Sequence, residues 1–352
     1  MGINFTHYNT NHSDYLIEPY GVTTKRVQPN FDGNTVIIIP HDIELEELSK
    51  CLFSTRNKKP IYLLDYTFES DTYIDSNTKL PSWEIIAFYN ELYRAKISYK
   101  NAAVLINNLR YDGLTTHYYK DKIIQTISFP RWLYEYNLGL GLPHLDRKKL
   151  AKEQYSCFNL RGTEHKQLAV EYINLIKLPT YITYIYNRNF SVAGLQNPDD
   201  AATNKNSIEL PKEIYYIGRV NICTESRYFK SKGFSDVICI TEKTFRNIAY
   251  GIPFVVIGQQ YTLQVLKKLG FKTFDSLINE EYDIMNDDIR YIHAIQAGID
   301  LRNFYHSKRL QAILDYNREL IRDKSFGQKY FNETFIKSIN TLIEKKDKMI
   351  LL

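Results

Sequence analysis

Ile238-Cys239-Ile240-Thr241-Glu242-Lys243-Thr244-Phe245-Arg246-Asn247-Ile248-Ala249-Tyr250-Gly251-Ile252-Pro253-Phe254-Val255-Val256-Ile257-Gly258 decides how this chain is read. It reads as a short apolar strand, a Thr-Glu-Lys turn, one amphipathic helix and a second apolar strand. Thr241 is a natural helix N-cap, and Glu242 falls in the first turn, where a carboxylate is favoured. Lys243 is the odd member, because a cation is disfavoured at the positive end of a helix unless an anion is held there. Strand–helix–strand units of this kind build open parallel sheets, whose ligands bind outside the carboxyl ends of the strands. A helix start at such an edge suits a phosphate.

The same alternation extends outward in both directions. In the first half, 35–40, 60–65, 102–106 and 122–127 read as strands, and 43–53 and 82–97 as helices. The stretch 139–152 reads as a hinge or linker; its Gly139-Leu140-Gly141 lacks a third glycine and follows no strand, so it is not a dinucleotide fingerprint. Strands recur at 155–160 and near 180–186, 214–223, 237–240 and 252–257, with a helix at 163–178 and a polar surface loop at 197–206. After Asp287 the pattern is helical to Lys348. Near-continuous apolar strands separated by helices imply α/β architecture with parallel sheets covered on both faces. The expected layout is GT-B: Rossmann-like domains at 1–145 and 146–290 facing a ligand cleft, with C-terminal helices at 291–352 packing back across them.

Composition fits that layout. The chain has 352 residues, 44% of them hydrophobic, enough for two domains with cores of ordinary size. No run of about 18 apolar residues predicts a membrane span, and no basic start followed by an apolar block predicts a secretory signal. Cys51, Cys157, Cys223 and Cys239 form no Cys-x-x-Cys pair; the last three fall in strand-like segments, which fits buried thiols in a cytoplasmic protein. Met1-Gly2-Ile3-Asn4-Phe5-Thr6 formally fits a myristoylation pattern, though a short one. The net charge of +5 fits anionic ligands without demanding them. Abundant Tyr, Ile, Asn and Lys suggest an AT-rich genome, hence a viral or phage origin and residence in the host cytoplasm.

Three segments of the second half are expected at one sheet edge. In Phe158-Asn159-Leu160-Arg161-Gly162-Thr163-Glu164-His165-Lys166 a strand ends and a helix begins, with Arg161 in the turn and Lys166 in the first helical turn. An anion would offset this basic pair, and Arg suits bidentate phosphate contacts; taken alone, the pair is also readable as surface cations beside Glu164. In Asn221-Ile222-Cys223-Thr224-Glu225-Ser226-Arg227 a strand ends in charge, which alone could be a solvated Glu–Arg pair. The Thr-Glu-Lys turn is the third.

Together these segments resemble the donor-binding half of GT-B glycosyltransferases related to the α1,3-fucosyltransferase and exostosin-like groups, and more closely a branch found in phages and large viruses. The matching stretches are Phe158 to Arg161, Val220 to Glu225, Thr241 to Phe245, Pro253 to Gly258 and Leu266 to Phe274, within about 155–275. The resemblance is weak in the first 150 residues. It implies that Arg161 touches a donor diphosphate, that Glu242 binds the ribose, that Lys243 binds phosphate or sugar, and that Glu225 and Thr244 lie beside them. His165 and Lys166 are weaker candidates. The donor implied is a UDP- or GDP-sugar, with no tightly bound cofactor.

Asp-x-Asp is absent from the chain, so no metal site is expected and protein cations would neutralise the leaving group. The position eight after Glu242 is Tyr250, not the second Glu of retaining relatives, which favours inversion. Inversion needs a carboxylate base on the acceptor side. Asp65 and Glu69 are the candidates, with His41 and Asp42 next. Arg110-Tyr111-Asp112, His117-Tyr118-Tyr119-Lys120 and Arg131-Trp132 interleave aromatics and cations, as nucleic-acid surfaces, carbohydrate clefts and Tyr-rich cores all do. DNA with hydroxymethylated bases, a glycan and a protein are the acceptors considered. A non-catalytic binding protein on a GT-B fold is the competing class.

Overall fold

The computed structural model describes residues 3–7, 24–26, 35–40, 43–67, 83–110, 113–119, 122–138, 153–159, 163–186, 189–192, 216–228 and 238–347. Within them the chain is mixed α/β, with parallel sheets. It divides into two compact units: Met1–Leu138, Ser231–Val237 and Lys324–Leu352 form one, Gly139–Lys230 and Ile238–Asp323 the other.

The first unit contains β1 (Asn4–His7), β2 (Thr24–Arg26), β3 (Thr35–Pro40), α1 (Leu45–Thr55), β4 (Ile61–Tyr66), α2 (Trp83–Arg94), β5 (Ala102–Ile106), β6 (Leu114–Tyr119), β7 (Lys122–Ser128) and α3 (Arg131–Asn137). Its sheet has the order β2-β1-β3-β4-β5-β7-β6 and is parallel except for β6, which runs antiparallel to β7. Every residue of β3 and β4 is buried, as strands covered on both faces require. One face gathers Phe5, Val36, Ile38, Leu63, Leu105 and Phe129 with Phe331, Phe335, Ile339 and Leu342 from the C-terminal helices Lys324–Phe331 and Lys337–Asp347 and the π-helical turn Asn332–Ile336 between them. The Phe335 ring lies 5.9 Å from Phe5 and 5.3 Å from Phe129. Gly327 lets the first of these helices lie close against α3, since a Cβ there would fall 1.9 Å from Asn137 Oδ1.

The second unit contains β8 (Glu153–Phe158), α4 (Glu164–Leu175), β9 (Thr180–Tyr186), β10 (Asn189–Val192), β11 (Gly218–Thr224), α5 (Glu242–Tyr250), β12 (Phe254–Ile257), α6 (Thr262–Lys268), α7 (Asp287–Arg302) and α8 (Lys308–Arg322). Its sheet order is β10-β9-β8-β11-β12, parallel except for the β9–β10 pair. Asn221 pairs with Ser156 and Thr224 with Ile257, so β8, β11 and β12 end at one edge. α7 packs on β11, β12 and α4, and α8 packs on α5.

The strands expected at 35–40, 102–106 and 180–186 have those bounds, and the others expected in the described residues shift by a few positions, apart from 237–240. Ile238, Cys239 and Ile240 are buried but form no ladder. Side chains take their place as partners: the Cys239 N–H donates to Gln259 Oε1 at 3.2 Å and the Thr241 N–H to Glu225 Oε1 at 3.1 Å. The segment is thus a buried connector into α5. The expected linker at 139–152 and loop at 197–206 lie outside the described residues.

Candidate functional site

Glu225, one residue past β11, is the hub of this edge and is 1% exposed. Its Oε1 accepts from the Thr241 N–H and the Thr244 hydroxyl, and its Oε2 from the Thr241 hydroxyl at 2.6 Å and the Ser226 N–H at 3.2 Å. A carboxylate has about four acceptor sites, so the chain itself saturates this one. Glu225 therefore clamps the strand end to the start of α5. Thr244, placed by resemblance beside a donor, has a wholly buried side chain turned to Glu225 and to Cys223 Sγ at 3.6 Å.

The Thr-Glu-Lys corner caps α5 as its residue types dictate. Thr241 is extended at φ −103° and its hydroxyl accepts the Lys243 N–H. Gly251 closes the other end at φ +65°, a left-handed conformation that suits glycine. The Lys243 ammonium folds back over the cap. It donates to Thr241 Oγ1 at 3.1 Å, Ser226 Oγ at 3.1 Å and Glu242 Oε1 at 2.8 Å. Glu242 remains 28% exposed and Lys243 17%. Burial pushes the Glu242 carboxyl up, but the adjacent ammonium and Arg246 outweigh it and hold the group below its ordinary range. Burial pulls Lys243 down, and the charges of Glu242 and Glu225 outweigh that, so it stays above the ordinary lysine value. The corner is a fully ionised pair at a helix N-terminus, with one carboxylate facing outward.

His165 and Lys166 open α4 at the neighbouring strand end. The His165 ring lies 2.8 Å from the Glu225 carbonyl, which can only accept, so Nε2 carries the proton. Nδ1 then accepts from the Thr163 hydroxyl at 3.3 Å. The ring stacks on Tyr228 with centroids 5.3 Å apart. Burial above all, offset in part by the Glu225 carbonyl, lowers its pKa to about 3, so it is neutral at physiological pH. Lys166 is 4% exposed, and its ammonium has no hydrogen bond or ion pair among the described residues. Burial and the like charge of Lys243, opposed by Glu225 and Glu242, bring its pKa down to about 8.

The neutral state of His165 predicts an acid sensitivity. Its folded pKa lies below the unfolded value, so the stability it confers is complete above about pH 6.5 and is lost as pH falls toward its folded value. Between about pH 6.5 and pH 5 the loss should approach ~2 kcal/mol. Denaturant titrations at both pH values check this; a His165→Gln variant showing the same loss would assign it elsewhere.

No protein-family model matches the chain. No curated protein matches it. Among solved structures it is similar to an α1,3-fucosyltransferase, with 10% identity and a TM-score of 0.41 over 89% of this chain and 80% of that one.

Several expected residues belong to the first unit or fall outside the described residues. Arg161, Glu69, His41 and Asp42 are outside the described residues, as are Tyr111, Asp112 and Lys120. Asp65 is the penultimate residue of β4 in the first unit, 3% exposed, and accepts from the Thr67 N–H at 3.1 Å and the Thr67 hydroxyl at 2.7 Å. Arg131 is buried, paired with Glu135 at 2.9 Å and held 5.8 Å from the Trp132 ring, so it belongs to the core rather than to a binding surface. His117 Nε2 contacts Thr126 Oγ1 at 3.0 Å across the β6–β7 pair. Among the described residues no three His, Cys, Asp or Glu side chains gather as a cation site, and no helix is long and apolar enough to cross a membrane.

The sequence reading missed Arg290, which is 1% exposed. Its guanidinium donates to the carbonyls of Gly258 at 3.0 Å, Met285 at 2.8 Å and Tyr228 at 2.8 Å, and pairs with Asp287 at 2.8 Å. It also lies 4.3 Å from the centroid of the Tyr228 ring, opposite a π-face that favours cations. Tyr228 joins His165 and Arg290 by ring contacts, tying α4, the β11 end and α7 together. The available signal was weak: Arg290 stands three residues after Asp287 in a helix of low amphipathicity. Asn159, one residue past β8, is a second such residue: its side chain accepts from the Thr224 hydroxyl and donates to Cys157 Sγ at 3.1 Å, locking two strand ends together.

Proposed function

We propose that the chain is a nucleotide-sugar-dependent glycosyltransferase whose donor diphosphate is held at the carboxyl edge of the second unit's sheet. The observation that carries this reading is the pair of low-exposure lysines, Lys166 and Lys243, in the first turns of two helices at that edge. Helix N-termini already carry partial positive charge, so two cations added there call for a polyanion. Glu242 beside them offers outward-facing acceptors for ribose hydroxyls. A nucleoside diphosphate joins these two chemistries in one molecule. Arg161 is assigned to the same diphosphate through the strand-end motif it belongs to.

In the proposed reaction an acceptor hydroxyl attacks the anomeric carbon of the sugar. The bond from that carbon to the diphosphate oxygen breaks, and its electron pair leaves with the nucleoside diphosphate. Lys243 and its cationic neighbours stabilise that developing charge. A single displacement inverts the anomeric centre, and the acceptor proton passes to a carboxylate of the first unit, Asp65 or Glu69. Because the Asp65 carboxylate already serves Thr67, Asp65→Asn separates the two. If Asp65 is the base, turnover falls by about 100-fold or more while nucleoside diphosphate binding is kept. Unchanged turnover moves the role to Glu69.

The reading is tested by thermal shift and hydrolysis with a panel of UDP-, GDP-, CMP- and ADP-sugars and their nucleotides. One nucleoside diphosphate should raise the melting temperature, and its sugar should be slowly hydrolysed. If no member does either, the transferase reading fails. With the donor known, transfer is compared on hydroxymethylated duplex DNA, a glycan and a protein. Transfer to DNA alone, falling steeply with added salt, would assign the acceptor to modified bases.

A further inference from the structure

Lys166 is a buried cation without a committed counter-ion among the described residues. Glu225 has its acceptor sites filled by Thr241, Thr244 and Ser226. Glu242 is paired with Lys243. The other groups facing Lys166 are Cys157 on β8, whose thiol burial keeps neutral, and Lys243 itself. On its own helix His165 is neutral, and on α7 Arg290 adds a further positive charge beside His165. A lysine with a long flexible stem normally reaches for water, whereas this one is 4% exposed. Burying an ammonium without a partner is costly; among the described residues no hydrogen bond or ion pair offsets it, and the charges of Glu225 and Glu242 oppose it only in part.

We propose that Lys166 is a proton-linked ligand of the anion held at this edge: above neutral pH it gives up its proton in the empty site and takes one from solvent when the diphosphate enters. This rests on the nucleotide-sugar reading above. The empty-site pKa of about 8 set by burial and Lys243 places the effect within an accessible range. A bound diphosphate adds negative charge beside the amine and favours its charged form. Of the two described lysines at this edge, Lys166 is then the one through which donor affinity declines in alkali, since Lys243 is held charged by Glu242.

The test is calorimetric titration with UDP and with GDP between about pH 7 and pH 9, in buffers of different ionisation enthalpy, where the nucleotide phosphates no longer titrate. Wild type should take up almost no proton at about pH 7 and more than roughly half a proton at about pH 8.5, with Kd weakening towards tenfold per unit above about pH 8. Lys166→Arg stays charged and should bind without proton uptake and with flat pH dependence. Lys166→Met, similar in volume, should bind more weakly at neutral pH and also without uptake. Binding by wild type without uptake, or uptake retained in both variants, overturns the inference and leaves the nucleotide-sugar reading standing. Failure of both nucleotides to bind at any pH overturns the inference, and the diphosphate reading for these two donors falls with it.

Discussion

Glu225→Ala is expected to destabilise the second unit by about 3–5 kcal/mol, the usual cost of deleting one member of a buried charged network. The residue touches four donors, and two of them are backbone N–H groups that cannot turn elsewhere: those of Thr241 and Ser226. Thr241 would also lose the bond that fixes its hydroxyl for capping, so the start of α5 would fray. For a unit of this size the melting temperature should fall by about 10 °C. Glu225→Gln keeps the shape but turns an N–H₂ group toward protein donors, and should cost a large part of the same amount. Thermal unfolding of both variants decides the point. If Glu225→Ala melts like the wild type and loses only nucleotide binding, then Glu225 is a ligand contact and the clamp is incidental.

Lys243→Ala should behave in the opposite way, folding normally while losing nucleoside diphosphate affinity by about 100-fold and transfer activity by at least as much. The difference follows from surroundings. Glu242, its partner, is 28% exposed and can be rehydrated, and the Ser226 and Thr241 hydroxyls retain or regain partners. On the proposed reading the diphosphate loses one of its charged donors. Lys243→Arg should not restore binding, because Ser226, Thr241 and Glu242 surround a compact point charge and a planar fork cannot meet all three. Binding isotherms beside melting curves separate the outcomes. Near wild-type affinity for UDP and GDP in Lys243→Ala would remove the corner from the site, and unfolding would show it to be only a helix cap.

The features that the sequence displayed best were local ones. The Thr241 cap, the carboxylate and lysine after it, and the glycine ending α5 obey rules that act within one helical turn. The buried strands β3, β4 and β5 appear as near-continuous apolar runs, Thr35 and Asp65 apart, because a covered parallel sheet leaves no polar face. Contacts between distant residues were harder to see. Glu225 looks like any acid at a strand end, and only the fold shows that its donors come mostly from sixteen to nineteen residues away. Arg290 lies still further, with its Tyr228 carbonyl partner sixty-two residues upstream. His117 sits in a cluster that resembles a basic aromatic surface, yet β6 is the antiparallel edge of the first sheet and pairs through Thr126. The apolar run at 238–240 has strand composition but is claimed by side-chain acceptors before a ladder can form.

The Phe331–Phe335–Leu342 packing in the first unit has a bearing on biosynthesis. Residues 1–138 hold the whole of that unit's sheet but only part of its apolar centre. The remainder is encoded after residue 323, so the ribosome delivers every residue of the second unit before the first can close. Domains usually mature in the order of translation; here the later unit is free to finish first, while the earlier one waits with Phe5 and Phe129 uncovered. An expression fragment ending near residue 138 would keep that deficiency permanently, and a fragment lacking 324–352 would carry it alongside an otherwise complete second unit.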